Sequence, residues 1–278
     1  MAEFLAILSS MLWGTADFLG GTFTRRLRPL AVVSVTLPAA VPLLLVAVLV
    51  TGEYAAPRGY LPWALASGPV GLLSVSAFYR ALATGTMGIV APVAATGVVV
   101  PLVVGLAQGG HLSAVELAGL VLATLATIGV SASGSAGEAV PPARTPLVLA
   151  FVAGLGFGFV TVGIGEGAHS SVLMTLLVMR STSSAILLLV WLALRQRPSL
   201  GVRDAAGLWL VGLADAGANA IYGSAVRLGV FSIVVVLGSL YPAATVLLAR
   251  QVHGERLTRL QLAGVAVLLV AVPMITAG

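Results

Sequence analysis

The sequence predicts an all-α integral membrane protein with ten transmembrane helices arranged as two five-helix inverted repeats. Three observations lead there. The composition is too apolar for a water-facing surface, ten hydrophobic stretches reach spanning length, and the two halves correspond at a spacing of about 144 residues.

The composition comes first. A soluble domain carries about 25% charged residues, whereas this chain of 278 residues has 8% charged and 59% hydrophobic, with mean hydropathy +1.10. So few charges cannot cover a surface in water, and the bilayer becomes the expected solvent. All 14 basic residues are Arg. They are scattered over short loops rather than gathered in a patch, which argues against nucleic acid as a partner. The absence of Cys excludes disulfides, Fe–S clusters and thiolate metal sites.

A spanning helix needs about 20 apolar residues. The first stretch, 3–21, has no basic n-region and no convincing cleavage site after it, so it reads as a retained helix and not as a signal peptide. Then come 31–50, 62–84, 87–107 and 113–132, separated by short loops marked with Gly, Pro or Arg. Next, Ser133–Pro146 is rich in Gly and Ser at its start and in Pro at its end, and it has no apolar run. It reads as a connecting loop. Five more stretches follow, at 147–165, 172–194, 206–226, 230–250 and 257–276. The expected organisation is a first repeat over 1–133, a linker over 134–146 and a second repeat over 147–278. Pro92, Pro101 and Pro242 lie inside spans, where they can kink a helix and free backbone carbonyls. Gly14 and Gly158 suit close helix contact.

The correspondence of the halves is specific. Trp13-Gly14 falls on Phe157-Gly158, Gly21 on Gly165, and Ile89-Val90 on Ile233-Val234. With one residue more, Leu117-Ala118-Gly119 falls on Leu262-Ala263-Gly264. Five spans per half is an odd number, so the second copy inserts upside down. Many secondary transporters are built this way, with the site at the repeat interface near the bilayer midplane. Arg placement orients the chain. Ten Arg fall in loops 1–2, 5–6, 7–8 and 9–10, against Arg58 and Arg227 on the other side. The positive-inside rule puts those four loops in the cytoplasm and both termini outside.

The order of several short motifs resembles the EamA-type family of the drug/metabolite transporter superfamily. They are Ser10-Met-Leu-Trp-Gly14, Met179-Arg180, Tyr241-Pro242, His253-Gly-Glu-Arg-Leu-Thr258 and Gln261-Leu-Ala-Gly264. The resemblance implies ten helices in two repeats and passage of small metabolites or drugs, commonly outward. The first repeat departs from the family pattern at Thr36, where Arg is common, and in loop 4–5, which lacks the Glu-Arg pair. Many relatives also keep both termini in the cytoplasm, the opposite of what these Arg residues indicate.

Four charged residues stand inside spans: Asp17, Arg80, Arg180 and Asp215. Each costs about 2.5–3.5 kcal/mol at a helix centre, so such residues face the protein interior and pair. At about 1.5 Å per residue, Arg180 lies roughly 12 Å from the outer end of its span and Asp215 roughly 14 Å from the inner end of its own, a common depth near the midplane. Asn219 and Tyr222 continue the Asp215 stripe. The expected substrate site is therefore Arg180, Asp215, Asn219 and Tyr222, with Trp13 in its wall. Such groups suit the two ends of a zwitterion. Phe78, Tyr79, Phe157 and Tyr241 are further candidates for an apolar lining. Asp17 and Arg80 match each other nearer the cytoplasm, as an ion pair or a proton-coupling group.

His111, His169 and His253 are dispersed in or near loops and read as solvated, with no shared metal site, and Glu166 reads as solvated at a helix end. No cofactor, nucleophile–base pair or phosphate loop is expected. The expected protein is a transporter in the cell membrane, a monomer or a homodimer. Its partners are the lipid bilayer, a small-molecule substrate and, for coupling, protons. A lipid-acting intramembrane enzyme or a non-transporting sensor or scaffold is the alternative. The former needs clustered acid/base or metal residues at one interface; the latter would be expected to carry a soluble extension.

Overall fold

The structure, a computed structural model, describes residues 1–107, 113–115, 117–119, 121–122, 125–126, 144–195, 200–229, 231–255 and 258–276. The regular elements among them are all helical. They are α1 (Ala2–Thr24), α2 (Pro29–Thr51), α3 (Leu61–Thr84), α4 (Met87–Ala95), α5 (Val99–Ala107), α6 (Arg144–Ala168), α7 (Val172–Leu194), α8 (Val202–Leu228), α9 (Phe231–Gly238), α10 (Tyr241–His253) and α11 (Arg259–Thr276). Described residues between 114 and 126 are helical too, within the fifth predicted span. The linker residues 133–143 and most of loop 4–5 lie outside the described residues.

Local chemistry sets the helix ends. Pro29 opens α2 at a position where its missing N–H costs nothing, and Gly52 (φ 75°) closes it in the left-handed conformation. Ser171 caps α7, its Oγ accepting from the Met174 N–H at 3.0 Å. Arg144 to Pro146, expected in the linker, begin α6 instead.

Among the described residues, five helices are long and apolar enough to cross a membrane, ending at Thr24, Thr51, Thr84, Ala168 and Leu194. Large apolar side chains such as Leu49, Leu73, Leu192 and Leu210 remain exposed, the surface expected against lipid. α8 is as long as the longest of the five, at 27 residues, yet it is not among them. It carries Asp215 and Asn219 in its middle, and its small residues pack inward.

Two predicted spans are broken. The stretch 87–107 is α4, a tight turn over Thr96–Val98, and α5. The stretch 230–250 is divided at Ser239 and Leu240 between α9 and α10. The two breaks fall at matching places under the spacing of 144. The prolines that follow the breaks supply the cause, since Pro101 and Pro242 lack the N–H that would bond the carbonyls of Gly97 and Gly238, four residues earlier, in a continuous helix.

Packing between the halves follows the same correspondence. α1 packs on α8 as α6 packs on α3, α2 meets α7, and α4 meets α10. Two glycines show it atom by atom. A methyl group on Gly14 would overlap the Tyr241 carbonyl oxygen and stand 2.6 Å from Ala244 Cβ. One on Gly158 would overlap the Gly97 carbonyl oxygen and stand 2.9 Å from Val100 Cβ. The first helix of each half thus lies against the broken helix of the other. At the end holding Arg25, the Glu255 carboxylate accepts from Arg25 at 2.5 Å and from the N–H groups of Met87 and Gly88, at 3.2 and 2.9 Å, where α4 begins. His253, expected to be solvated, instead bonds Thr22 Oγ1 at 2.8 Å and meets the Phe18 ring at a tilt of 42°, with ring centroids 5.1 Å apart.

Candidate functional site

The helix interfaces leave a cavity of about 900 Å³, its open mouth included. α1, α2, α3, α6, α7, α8 and the start of α10 all contribute to it. The charged residues in its lining are Asp17, Arg180 and Asp215. Trp13 and Asp17 are one turn apart on α1, so the pattern that makes one face of that helix polar also brings an aromatic ring beside the carboxylate.

Arg180 on α7 and Asp215 on α8 form the ion pair expected from their depth, Nη2 donating to Oδ2. The pair is unevenly buried: the Arg180 side chain is 8% exposed and that of Asp215 30%. Arg180 Nε and the Thr36 hydroxyl are buried without a protein partner among the described residues, and both residues line the cavity. A buried donor left in this state is costly unless something else satisfies it. Asn219, a turn beyond Asp215, donates from Nδ2 to the Asp215 backbone carbonyl at 2.6 Å.

The remaining expectations divide. Trp13 stands in the wall, with its ring 5.3 Å from that of Tyr222 and 6.5 Å from that of Tyr241. Tyr222 is buried behind Trp13 and lines a second cavity rather than the charged one. Phe78, Tyr79, Phe157 and Tyr241 do line the charged cavity. Asp17 and Arg80 do not pair. Arg80 is exposed on α3, four residues from its end, and makes no ion pair among the described residues, whereas Asp17 faces the cavity. Equal depth was the only argument for that pair, and depth leaves open which side of α3 Arg80 occupies. Asp17→Asn therefore breaks no ion pair, and we expect its melting temperature in detergent to stay within a few degrees of the parent's. A collapse of folding would show a structural partner for Asp17.

Other lining residues have no place in the sequence-based expectation, among them Gly71, Val75, Val160, Thr161 and Ser183. The spacing that relates the halves does find several of them. Trp13 pairs with Phe157, Ala16 with Val160, Asp17 with Thr161, Thr36 with Arg180, Gly71 with Asp215 and Val75 with Asn219, each pair 144 apart and all of them in the lining. The two sides are chemically unlike at every polar pair, so one cavity presents a guanidinium opposite a hydroxyl and carboxylates opposite small residues.

Residues 144–277 match the model of the EamA-like transporter family, part of the drug/metabolite transporter superfamily. No curated protein matches the chain. A solved structure described only as a crystal structure of a protein is similar over 99% of this chain and 96% of that one, with TM-score 0.64 and 17% identity. At that identity the likeness speaks for the fold alone.

Proposed function

We propose that this membrane protein, whose residues 144–277 match the EamA-like transporter family, is a secondary transporter exporting small metabolites or drugs. The cargo would be held at Arg180 and Asp215, and the two halves would rock around it in alternating access. Residues 1–133 form the first five-helix repeat in this reading and 144–278 the second, inverted one, with 134–143 linking them.

One observation carries the reading: the cavity is lined by pairs of residues 144 apart, and it holds the charges of the bundle interior. A site on the axis between inverted repeats can be exposed to either side by the same motion, since each half offers the same contacts in reverse. The matching breaks after α4 and α9 support it, because discontinuous helices in corresponding positions border transporter sites. Arg180 Nε and the Thr36 hydroxyl offer hydrogen bonds to an acceptor on the cargo, while Asp17 and the Asp215 edge offer charge to a donor. Small zwitterions fit that set. Asp17 is the candidate for proton coupling, being a carboxylate in the cavity without a cationic partner among the described residues.

Competition flux in proteoliposomes tests this, with amino acids, nucleobases, sugars and cationic drugs as competitors. At least one class should compete in the parent and fail to do so in Asp215→Asn. Flux of no class above protein-free liposomes would refute the transporter reading.

Orientation has its own test. The Arg bias puts the α1–α2 and α7–α8 loops in the cytoplasm and the α2–α3 loop outside. The chain has no Cys, so single cysteines report cleanly. In intact cells an impermeant thiol reagent should label Ala55→Cys and spare Val202→Cys, both exposed positions. The reverse pattern would invert the protein and turn the proposed direction around.

A further inference from the structure

We infer that the cargo is an amphiphile whose charged head sits at Arg180, Asp215 and Asp17 while its apolar tail passes beside Trp13 into a second cavity. The inference rests on the first cavity being the cargo site. The second cavity encloses about 440 Å³, open parts included, and lies between the two broken helices. Ala95, Gly97 and Val98 border it from one half, Val235 and Gly238 from the other.

The two cavities are neighbours separated by single side chains. Trp13, Phe157, Thr161 and Tyr241 line both. Trp13 is the clearest divider, because its ring touches Tyr222 on the side of the second cavity. Charge is segregated across this wall: three charged side chains, Asp17, Arg180 and Asp215, face the first cavity, and the residues that line the second include none. A molecule charged at one end and apolar at the other matches that division, whereas one charged at both ends does not. Tyr222, which lines the second cavity, also has a buried hydroxyl without a partner among the described residues. An oxygen in the tail would gain a hydrogen bond there. Each methylene that leaves water for such a space gains the ordinary burial free energy, about a fourfold rise in affinity.

Probes with one head and a graded tail test this: linear 2-aminoalkanoic acids, from a methyl to an octyl side chain. Equilibrium binding is measured to the full chain in nanodiscs, as parent, Asp215→Asn, Val98→Phe and Val235→Phe. In the parent, affinity should climb about fourfold per methylene until the second cavity is full. Val98→Phe, which fills the cavity from the first half, should flatten that climb. Val235→Phe fills it from the second half and serves if Val98→Phe does not fold. Affinity independent of tail length, with every member weakened by Asp215→Asn, would sink the tail inference and leave the head site standing. An equal climb in the parent and both filled variants would mean that the tail lies elsewhere, in lipid, and would also overturn it. Failure of every member to bind the parent would remove the first cavity as a zwitterion site, and the inference with it.

Discussion

Asp215→Asn should cut flux per folded molecule by at least about tenfold while the protein still folds. The loss on the transport side follows from the strength of hydrogen bonds to charged groups, about 1.5–3 kcal/mol each, which is a factor of roughly 10 or more. The folding side depends on solvation. A sealed ion pair broken on one side costs about 3–5 kcal/mol, because an uncompensated charge is left in a dry interior. A solvated pair costs about 0–1 kcal/mol. Asp215 is 30% exposed and faces a cavity with an open mouth, so water can reach the site it vacates. The asparagine can still accept a hydrogen bond from Arg180 through Oδ1. Detergent melting should therefore shift little. Liposome flux normalised to folded protein separates the two outcomes. If Asp215→Asn unfolds the protein, the pair is structural. If it transports like the parent, the cargo is held elsewhere, and Asp17 becomes the next residue to change.

Gly158→Ala should destabilise the protein by about 2 kcal/mol or more, with Gly14→Ala close behind. In an exposed helix the same change would stabilise by about 1 kcal/mol. Here the new methyl meets a backbone oxygen of the broken helix in the other half, Gly97 for one and Tyr241 for the other. A backbone atom cannot rotate away, so the helices must part, which is the overpacked case at about 1–3 kcal/mol or beyond. Gly217 in α8 is the control, since a Cβ there would meet nothing within 4 Å. Gly217→Ala should be neutral or slightly stabilising in the same detergent melts. Equal behaviour of all three would mean that the contacts between first and broken helices are loose, and the matched packing of the halves would lose its energetic meaning.

The sequence alone determined the all-helical class and the membrane as solvent, and it assigned each embedded charge an expected depth. An interior of Leu, Val, Ala and Gly with four embedded charges can exist only in lipid, and the helix rise converts residue number into depth. That conversion brought Arg180 and Asp215 together correctly. It failed for Asp17 and Arg80, because depth is one coordinate and a contact needs three. Rotation about the helix axis put Arg80 outside and Asp17 in the cavity. Tyr222 shows the same limit: it continues the stripe of Asp215 and Asn219 along α8, yet lies behind Trp13 in a different space. The breaks at Thr96–Val98 and Ser239–Leu240 were hinted at by proline alone, since hydropathy runs smoothly through both. Only the tertiary structure decided that these breaks face each other across one cavity and the charges face another. That arrangement comes from how helices of one half pack on those of the other, through contacts between residues far apart in the chain, and no pattern within a single helix encodes it.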